Sequence, residues 1–527
     1  METPLTPLEF ARRARSVYGD REGVVDGALR LSYADFFDRC DRWSAALQRM
    51  GIAKGDRVAY IAPNIHSQLE SFYAVPQISG VVVPINYRLN ADEFAYIIDH
   101  SGAKIVCVHG DYLGVVEEIR AKLPRVKHFV ALEWDDRGAR REWLDYEATI
   151  SAESPRFESV PIEEGDLISI NYTSGTTANP KGVMITHRNA YINVLGTLAH
   201  WHLSAKDRYL WTLPMFHANG WTFVWIVTAV GATHLCLRKV EPRAVFEMVG
   251  KERASVFCAA PTVLIGIANA PEEVRRGAPR GVRLLTAGAP PAAVTIERVE
   301  GELGWNVTQV YGLTETSPLI SICEERPEHS TLSAGDRAAI KARQGIELVS
   351  SGELRVVDAE GRPVPSDGAT LGEIVVRGNV VMKGYFNDKV ETDKAIRDGW
   401  FHTGDAAVVH PDGYVEIRDR FKDVIISGGE NISSVEVEGV LLRHPAVQEV
   451  SVVGMPHPKW GEAPHAFVVL RTNLACTEGD IREFARQNLA HFKVPQWVSF
   501  VPELPKTATG KIQKYVLRGK RAAISRQ

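Results

Sequence analysis

The chain has 527 residues, a formal net charge of -4 and an apolar share of 45%, the composition of a soluble globular protein. That length exceeds one compact core, so a large body with at least one further domain is expected. With no block of like charge and no apolar stretch of bilayer length, nucleic acid, an anionic membrane and a transmembrane role are disfavoured, and the expected partner is a small molecule. Six cysteines, Cys40, Cys107, Cys236, Cys258, Cys323 and Cys476, are scattered without a CxxC pair, which suits reduced buried thiols and not a zinc or disulfide framework. The first residues contain no signal-peptide apolar segment and Ser525-Arg526-Gln527 is not an S-K-L address, so the expected location is cytoplasmic.

In chain order, Thr6-Pro7-Leu8-Glu9 reads as a helix N-cap followed by Pro at the first helical position. A second helix starts at Ser32, with Tyr33, Phe36, Phe37, Cys40 and Leu47 on one face, and Gly51 closes it. A strand over 57–62, a helix over 68–78, a strand over 81–85, a helix over 92–100 and a strand over 104–108 follow. That alternation predicts parallel βαβ units. The apolar run 167–172 predicts a buried strand that empties into hydroxyls and glycines before a helix from His187. The rhythm resumes through 209–213, 233–237, 254–258 and 282–287.

From Gly352 the texture changes to short strands broken by turns, over 353–357, 372–377 and 414–418, which predicts a small β-barrel or sheet appended to the body. Past Arg420-Phe421-Lys422-Asp423 the chain reads as an α+β module. Its helix begins near Ser433, strands run over 447–453 and 465–470, and a second helix is capped at Thr477 with Asp480 three residues on. The fold class is therefore α/β, with a large N-terminal domain of parallel-rich sheets over 1–421 and a small α+β domain over 422–527.

Thr173-Ser174-Gly175-Thr176-Thr177-Ala178-Asn179-Pro180-Lys181-Gly182 has the make-up of a phosphate loop. Glycines let backbone N–H groups approach anionic oxygens, hydroxyls add donors and Lys181 adds a point charge. It is not a Walker loop, because Pro180 precedes the lysine and Gly182 follows it. Four further stretches carry chemistry. Leu213-Pro214-Met215-Phe216-His217-Ala218-Asn219-Gly220-Trp221 puts a histidine among aromatics, and Gln309-Val310-Tyr311-Gly312-Leu313-Thr314-Glu315 sets a ring, a bare backbone and a carboxylate at a strand end, where open α/β sheets bind ligands. Trp400-Phe401-His402-Thr403-Gly404-Asp405 ends in a carboxylate able to accept two vicinal hydroxyls. Leu504-Pro505-Lys506-Thr507-Ala508-Thr509-Gly510-Lys511 presents a lysine on a loop flanked by glycine.

In this order, these stretches resemble the adenylate-forming superfamily of acyl-CoA synthetases, adenylation domains and luciferases, over nearly the whole chain. The resemblance extends to Val83-Pro84-Ile85-Asn86-Tyr87-Arg88, Thr286-Ala287-Gly288-Ala289-Pro290, Arg418-Asp419-Arg420-Phe421-Lys422-Asp423 and Ser427-Gly428-Gly429-Glu430-Asn431. It implies an acid, ATP, Mg²⁺ and CoA as reactants and cofactors, with an acyl-adenylate between two half-reactions. By similarity, Thr173, Ser174, Gly175, Thr176, Thr177 and Lys181 hold the phosphates, and Glu315 with Thr173 attends the metal. Gly288, Ala289, Pro290 and Tyr311 flank the adenine, with Gln309, Gly312 and Thr314 in the same ATP site. Asp405 takes the ribose hydroxyls, Arg420 reaches ribose or phosphate, and Lys511 is the catalytic lysine beside Glu315 and His217.

The resemblance further implies a mobile C-terminal domain that turns about Lys422 and brings Gly428 and Gly429 to a pantetheine tunnel, with His217 walling the acyl channel from the thiol channel. His217, Asn219, Trp221, Phe223, Gly312, Pro318 and Leu319 are the implied acyl pocket. They include no Lys or Arg, so a second carboxylate would lie unpaired, at a cost of several kcal/mol. The expected substrate is an apolar monocarboxylic acid, a medium- to long-chain fatty acid first. Aryl acids of the cinnamate or benzoate type, short-chain or methylmercaptopropionate acids, and a carrier protein in place of CoA are the alternatives. A homodimer is left open.

Overall fold

Runs such as Val81–Ile85 and Ile105–His109 are buried at every residue, the signature of strands covered on both faces. In the computed structural model, which describes residues 2–134, 142–173, 179–428, 430–472, 474–507 and 511–524, these runs pair in parallel. Strands 57–61, 81–85, 105–109, 128–132 and 144–145 lie in an eight-stranded sheet with Leu167–Thr173, and Lys181–Thr186 and Gly384–Tyr385 complete one edge antiparallel. A second sheet of nine strands is parallel from 22–26 through 233–235, 208–210, 256–259 and 283–286 to 306–312, with antiparallel strands at both margins.

Local signals set the helices between them. Ser32 and Asp35 form a capping box at the head of Tyr33–Arg49, whose Tyr33, Phe36, Phe37, Cys40 and Leu47 are buried as the periodicity predicts, with Trp43 buried beside them. Phe36, Phe37 and Tyr73 meet edge to face, and the Trp43 indole donates to the Tyr60 hydroxyl at 2.7 Å. The helix expected over 68–78 divides into His66–Ala74 and a short 3₁₀ turn, Pro76–Ile78. Pro76 carries no N–H to continue the ladder.

One expectation is revised. The phosphate-loop segment does not lead directly to a helix, because a strand, Lys181–Thr186, intervenes and pairs back on Leu167–Thr173, with Thr173 opposite Lys181. The helix His187–His200 follows this strand behind a Thr186 capping box. Gly182-Val183-Met184-Ile185 is too short for periodicity to separate strand from helix.

Downstream, strands 353–357, 372–377, 396–397, 400–409 and 415–420 make a five-stranded antiparallel sheet. The C-terminal module is a five-stranded sheet over 425–427, 430–432, 447–457, 461–470 and 497–500. Helices Ser434–Leu441 and Glu478–Asn488 accompany it, the latter behind the expected Thr477/Asp480 box. Its hydrophobic clusters, around Val437 and Phe467, include only residues from Ile425 onward, whereas the clusters of the rest of the chain include none of these. Across the connection at Lys422 the ties are polar. The Asp419 carboxylate accepts from the Ser434 N–H at 2.8 Å and its hydroxyl at 2.7 Å, and the Ser433 hydroxyl donates to the Arg418 carbonyl.

Candidate active site

Parallel strands end together at one side of each sheet, so their C-terminal loops gather side chains from distant parts of the sequence. Strand Asn306–Gly312 delivers Tyr311, whose buried hydroxyl donates to Asp405 Oδ2 at 2.7 Å. Asp405 stands opposite Arg420 on neighbouring strands, and the Arg420 Nε lies 3.3 Å from Oδ1. Burial, then the Asp405 charge, pushes the Tyr311 phenol well above its ordinary range. Gly312 follows with a bare backbone, because a Cβ there would stand 1.7 Å from the Pro318 carbonyl oxygen. Gly288, two residues past strand Arg283–Thr286, has φ +93 and nothing near a would-be side chain, while Ala289 and Pro290 are half-buried.

Lys511 reaches this group from the far end of the chain. Its loop is clipped by the Thr507 N–H on the Lys511 carbonyl at 2.7 Å and the Lys511 N–H on the Thr507 hydroxyl at 3.1 Å. Burial first, then the charges of Arg420 and Lys422 against the opposing pull of Asp405 and Asp423, lowers its amine from the usual lysine range to about 8. His217 is held down to about 4 by burial, with the Lys511 charge adding to the effect, so the imidazole is neutral. Burial, then Arg420, also lowers the Lys422 amine.

On the phosphate-loop side Lys181 pairs with Glu391 and lies over the Tyr385 ring, 5.0 Å from its centroid. The Tyr385 hydroxyl donates to Glu315 Oε1 at 2.9 Å, and the Met382 N–H donates to the Glu315 carbonyl at 2.8 Å. The Lys181 hydrogen bond, then that of Lys394, depresses the Glu391 carboxyl to about 2. Lys181, Gly182, Tyr385, Phe386, Asp388 and Glu391 border a cavity of about 380 Å³ beside the loop. Ser174, Gly175, Thr176, Thr177 and Gly429 lie outside the described residues. Thr173 ends its strand, Thr314 is buried, and Gly428 turns with φ +61 while its N–H donates to the Trp460 carbonyl at 2.8 Å.

The stretch after His217 takes a shape its sequence did not signal. Ala218, Asn219, Gly220, Trp221 and Thr222 all have φ between 46° and 64°, a left-handed turn in which only Gly220 is free of the Cβ penalty. Asn219 anchors it. The Asn171 amide donates to Asn219 Oδ1 at 3.0 Å, the Asn219 amide to the Ser169 hydroxyl at 2.8 Å, and that hydroxyl to Asn171 Oδ1 at 2.8 Å. Asn219, expected to face the acyl pocket, therefore spends its amide on the strand leading to the phosphate loop. Phe223 is fully buried, stacked on Tyr209 at 4.9 Å, and Trp221, Pro318 and Leu319 are buried as well.

Known proteins can be set beside this geometry. Residues 10–386 match the family model of the AMP-binding enzymes, and 436–511 match that of the AMP-binding enzyme C-terminal domain. The chain belongs to the AMP-binding enzyme family. It is 43% identical over 526 residues to a 4-hydroxybutyrate–CoA ligase of Metallosphaera sedula, covering 98% of this chain and 95% of the relative. An acetate/butyrate–CoA ligase of Arabidopsis thaliana, peroxisomal by name, is 42% identical with the same coverage. The fold matches an anthranilate CoA ligase solved with anthranoyl-AMP, with a TM-score of 0.89, 25% identity and coverage of 99% of this chain and 100% of that one. This AMP-binding enzyme is an AMP-forming acid–CoA ligase that uses ATP, Mg²⁺ and CoA. Among the described residues no helix is long and apolar enough to cross a membrane.

The residues present fit those groups. Gln309 Oε1 is buried without a hydrogen-bond partner, an acceptor suited to an amino group such as that of adenine, and it shares a strand face with Tyr311. Asp405 retains acceptor capacity beyond Tyr311 and Arg420, since a carboxylate offers about four lone-pair sites. Glu315, with Oε1 held by Tyr385, is a hard oxygen donor of the kind magnesium takes. Tyr385 and Glu391 escaped the sequence reading because single tyrosines and glutamates carry no pattern, and the pairing of Gly384–Tyr385 with Lys181–Thr186 exists only in the fold.

Replacing Asn219 by Ala leaves the buried Ser169 and Asn171 groups short of partners and puts an amide-less side chain in a left-handed position. The expected loss is about 1–3 kcal/mol of unfolding free energy, read by urea denaturation, and an unchanged midpoint would show that the triangle holds nothing.

Proposed function

We propose that this acid–CoA ligase activates short, apolar monocarboxylic acids, with the residues singled out above in the roles that similarity gives them. The observation that carries the reading is the burial of the residues given to the acyl side. Trp221, Phe223 and Leu319 are each buried, and the Pro318 carbonyl oxygen stands where a Gly312 side chain would be. A medium- or long-chain tail, the wider expectation, requires Trp221 to leave its buried position. The names of the 4-hydroxybutyrate and acetate/butyrate relatives support the short range. An aryl acid is the second reading, favoured by the likeness to the anthranilate ligase. The expected cytoplasmic location stays an expectation beside a relative named peroxisomal.

The reaction begins with two anions. A carboxylate oxygen bonds to the α-phosphorus of ATP, the bond to the bridging oxygen breaks, and pyrophosphate leaves. Glu315 and Thr173 would hold magnesium, which when bound would supply charge neutralisation at the phosphate oxygens. Lys181 holds the departing phosphates, Asp405 and Arg420 fix the ribose, Gly288 to Pro290 and Tyr311 flank the adenine, and Lys511 meets charge on the α-phosphate as it builds. One preorganised donor of that kind is worth roughly 3–4 kcal/mol. In the second step the CoA thiol gives up its proton to solvent, its sulfur bonds to the acyl carbonyl carbon, and the bond from that carbon to the phosphate oxygen breaks as AMP departs. The lysine loop must then withdraw, which the separate core of the C-terminal module permits.

Lys511→Ala should lower adenylate formation by about two to three orders of magnitude and spare thioester formation from supplied acyl-adenylate. Because the free enzyme's Lys511 titrates near 8 and acts protonated, wild-type kcat/KM for ATP should fall as pH rises through about 8. Lys511→Arg should flatten that limb. Equal loss of both half-reactions, or a flat alkaline profile, removes Lys511 from the chemistry.

AMP release with CoA across acids of graded length, and two aryl acids, should peak at the short aliphatic end, and Trp221→Ala should move the optimum to longer chains. A wild-type optimum among long chains would overturn the short-acid reading. Lys422→Pro, by fixing φ, should slow thioester formation at least tenfold more than adenylation, and an intact thioester rate would place the pivot elsewhere.

A further inference from the structure

Lys181 and Glu315, assigned above to phosphate and metal, are 134 positions apart in sequence and carry opposite charges, yet they do not pair with one another among the described salt bridges. One side chain touches both. Tyr385 places its ring face 5.0 Å from the Lys181 amine and gives its hydroxyl to Glu315 Oε1 at 2.9 Å. The geometry points to Tyr385 as a positioning residue that holds the phosphate-side lysine and the metal-side carboxylate in one fixed relation.

The ring is itself held firmly. Tyr385 pairs with Val183 across the sheet edge, its N–H donates to the Thr392 hydroxyl at 2.9 Å, and the next N–H, of Phe386, donates to the Gly182 carbonyl at 2.7 Å. Its neighbour Gly384 has φ +140, and a Cβ there would meet Thr392 at 2.9 Å, so the backbone that aims the ring accepts glycine alone. The same segment grips Glu315 twice, through the Tyr385 hydroxyl and the Met382 N–H. A hydroxyl on one carboxylate oxygen fixes the carboxylate plane and leaves the other oxygen for a cation, as outer-shell partners of metal ligands do. The electron-rich ring face steadies the ammonium without neutralising it, in contrast to the Glu391 carboxylate that phosphate must displace.

This inference rests on the reading of Glu315 as the metal-side ligand and of Lys181 as the phosphate-side cation, so its test separates the two. Binding of a non-hydrolysable ATP analogue would be followed by calorimetry at graded Mg²⁺ and without metal, with melting temperature as a check on folding. Tyr385→Phe keeps the ring and loses the hydroxyl; the Mg²⁺ concentration needed for tight binding should rise about tenfold while metal-free binding stays at the wild-type value. Tyr385→Leu loses both, and should also weaken metal-free binding about threefold. With Glu315→Gln shifting the Mg²⁺ requirement and both Tyr385 variants leaving it at wild type, Tyr385 would be packing alone and the inference overturned. A Glu315→Gln protein with wild-type Mg²⁺ dependence would overturn the underlying reading, and the inference with it.

Discussion

Repulsion between a carboxylate and a triphosphate is the constraint that organises this molecule. Two anions approach only where cations await them, and cations crowded together repel one another in turn. The described ion pairs resolve that conflict by giving most cations a resident acid: Arg420 has Asp405 and Lys181 has Glu391. Lys511 differs. Among the described residues its amine has no carboxylate within salt-bridge distance, and burial together with Arg420 and Lys422 lowers it to about 8. The unpaired, half-desolvated ammonium is the group with most to gain when negative charge arrives, which is why the proposed chemistry turns on it.

The partners of those cations come from separate elements. Tyr311 lies on the nine-stranded sheet, Asp405 and Arg420 on the five-stranded antiparallel sheet, Lys181 on the margin of the eight-stranded sheet, and Lys511 on the C-terminal module. The aliphatic bulk of the sheets brings these elements together; the polar contacts fix only their final spacing. A buried Tyr311 hydroxyl between two strand systems would be costly if left without Asp405, so the site and the packing constrain each other.

Much of this was legible in the residues because it was written locally. Ser32 with Asp35 and Thr477 with Asp480 announce their helices within four residues, and the valine run 81–83 announces a strand covered on both faces. The phosphate motif and the lysine loop were visible as composition joined to order. What stayed hidden was written at long range. Strand Lys181–Thr186 exists because it can pair with 167–173 on one side and Gly384–Tyr385 on the other, and a segment of mixed apolar and glycine residues does not declare such partners. The left-handed turn 218–222 is likewise unreadable: Trp221 and Thr222 disfavour it, and Asn219 tolerates it only because Ser169 and Asn171 wait on a strand some fifty positions earlier.

The same distribution of forces bears on how one site serves two steps. The lysine loop lies where His217 feels its charge, so if the thiol reaches the acyl carbonyl past His217, as proposed, the loop stands in its way. Moving the loop would be prohibitive if the module carrying it shared a hydrophobic core with the sheets, because exposing such a core costs about 25 cal/mol per Å². It shares none: the clusters from Ile425 onward and those before it have no residue in common. What binds the module to the rest includes the Asp419–Ser434 hydrogen bonds and a hydrogen bond of 2.6 Å from Arg471 to Asn269, contacts that water can replace at a net cost of about 1 kcal/mol each. A polar seam around a single connecting segment is what the proposed alternation needs: the lysine could be held over the phosphate in one half-reaction and released in the next without opening the interior of either part.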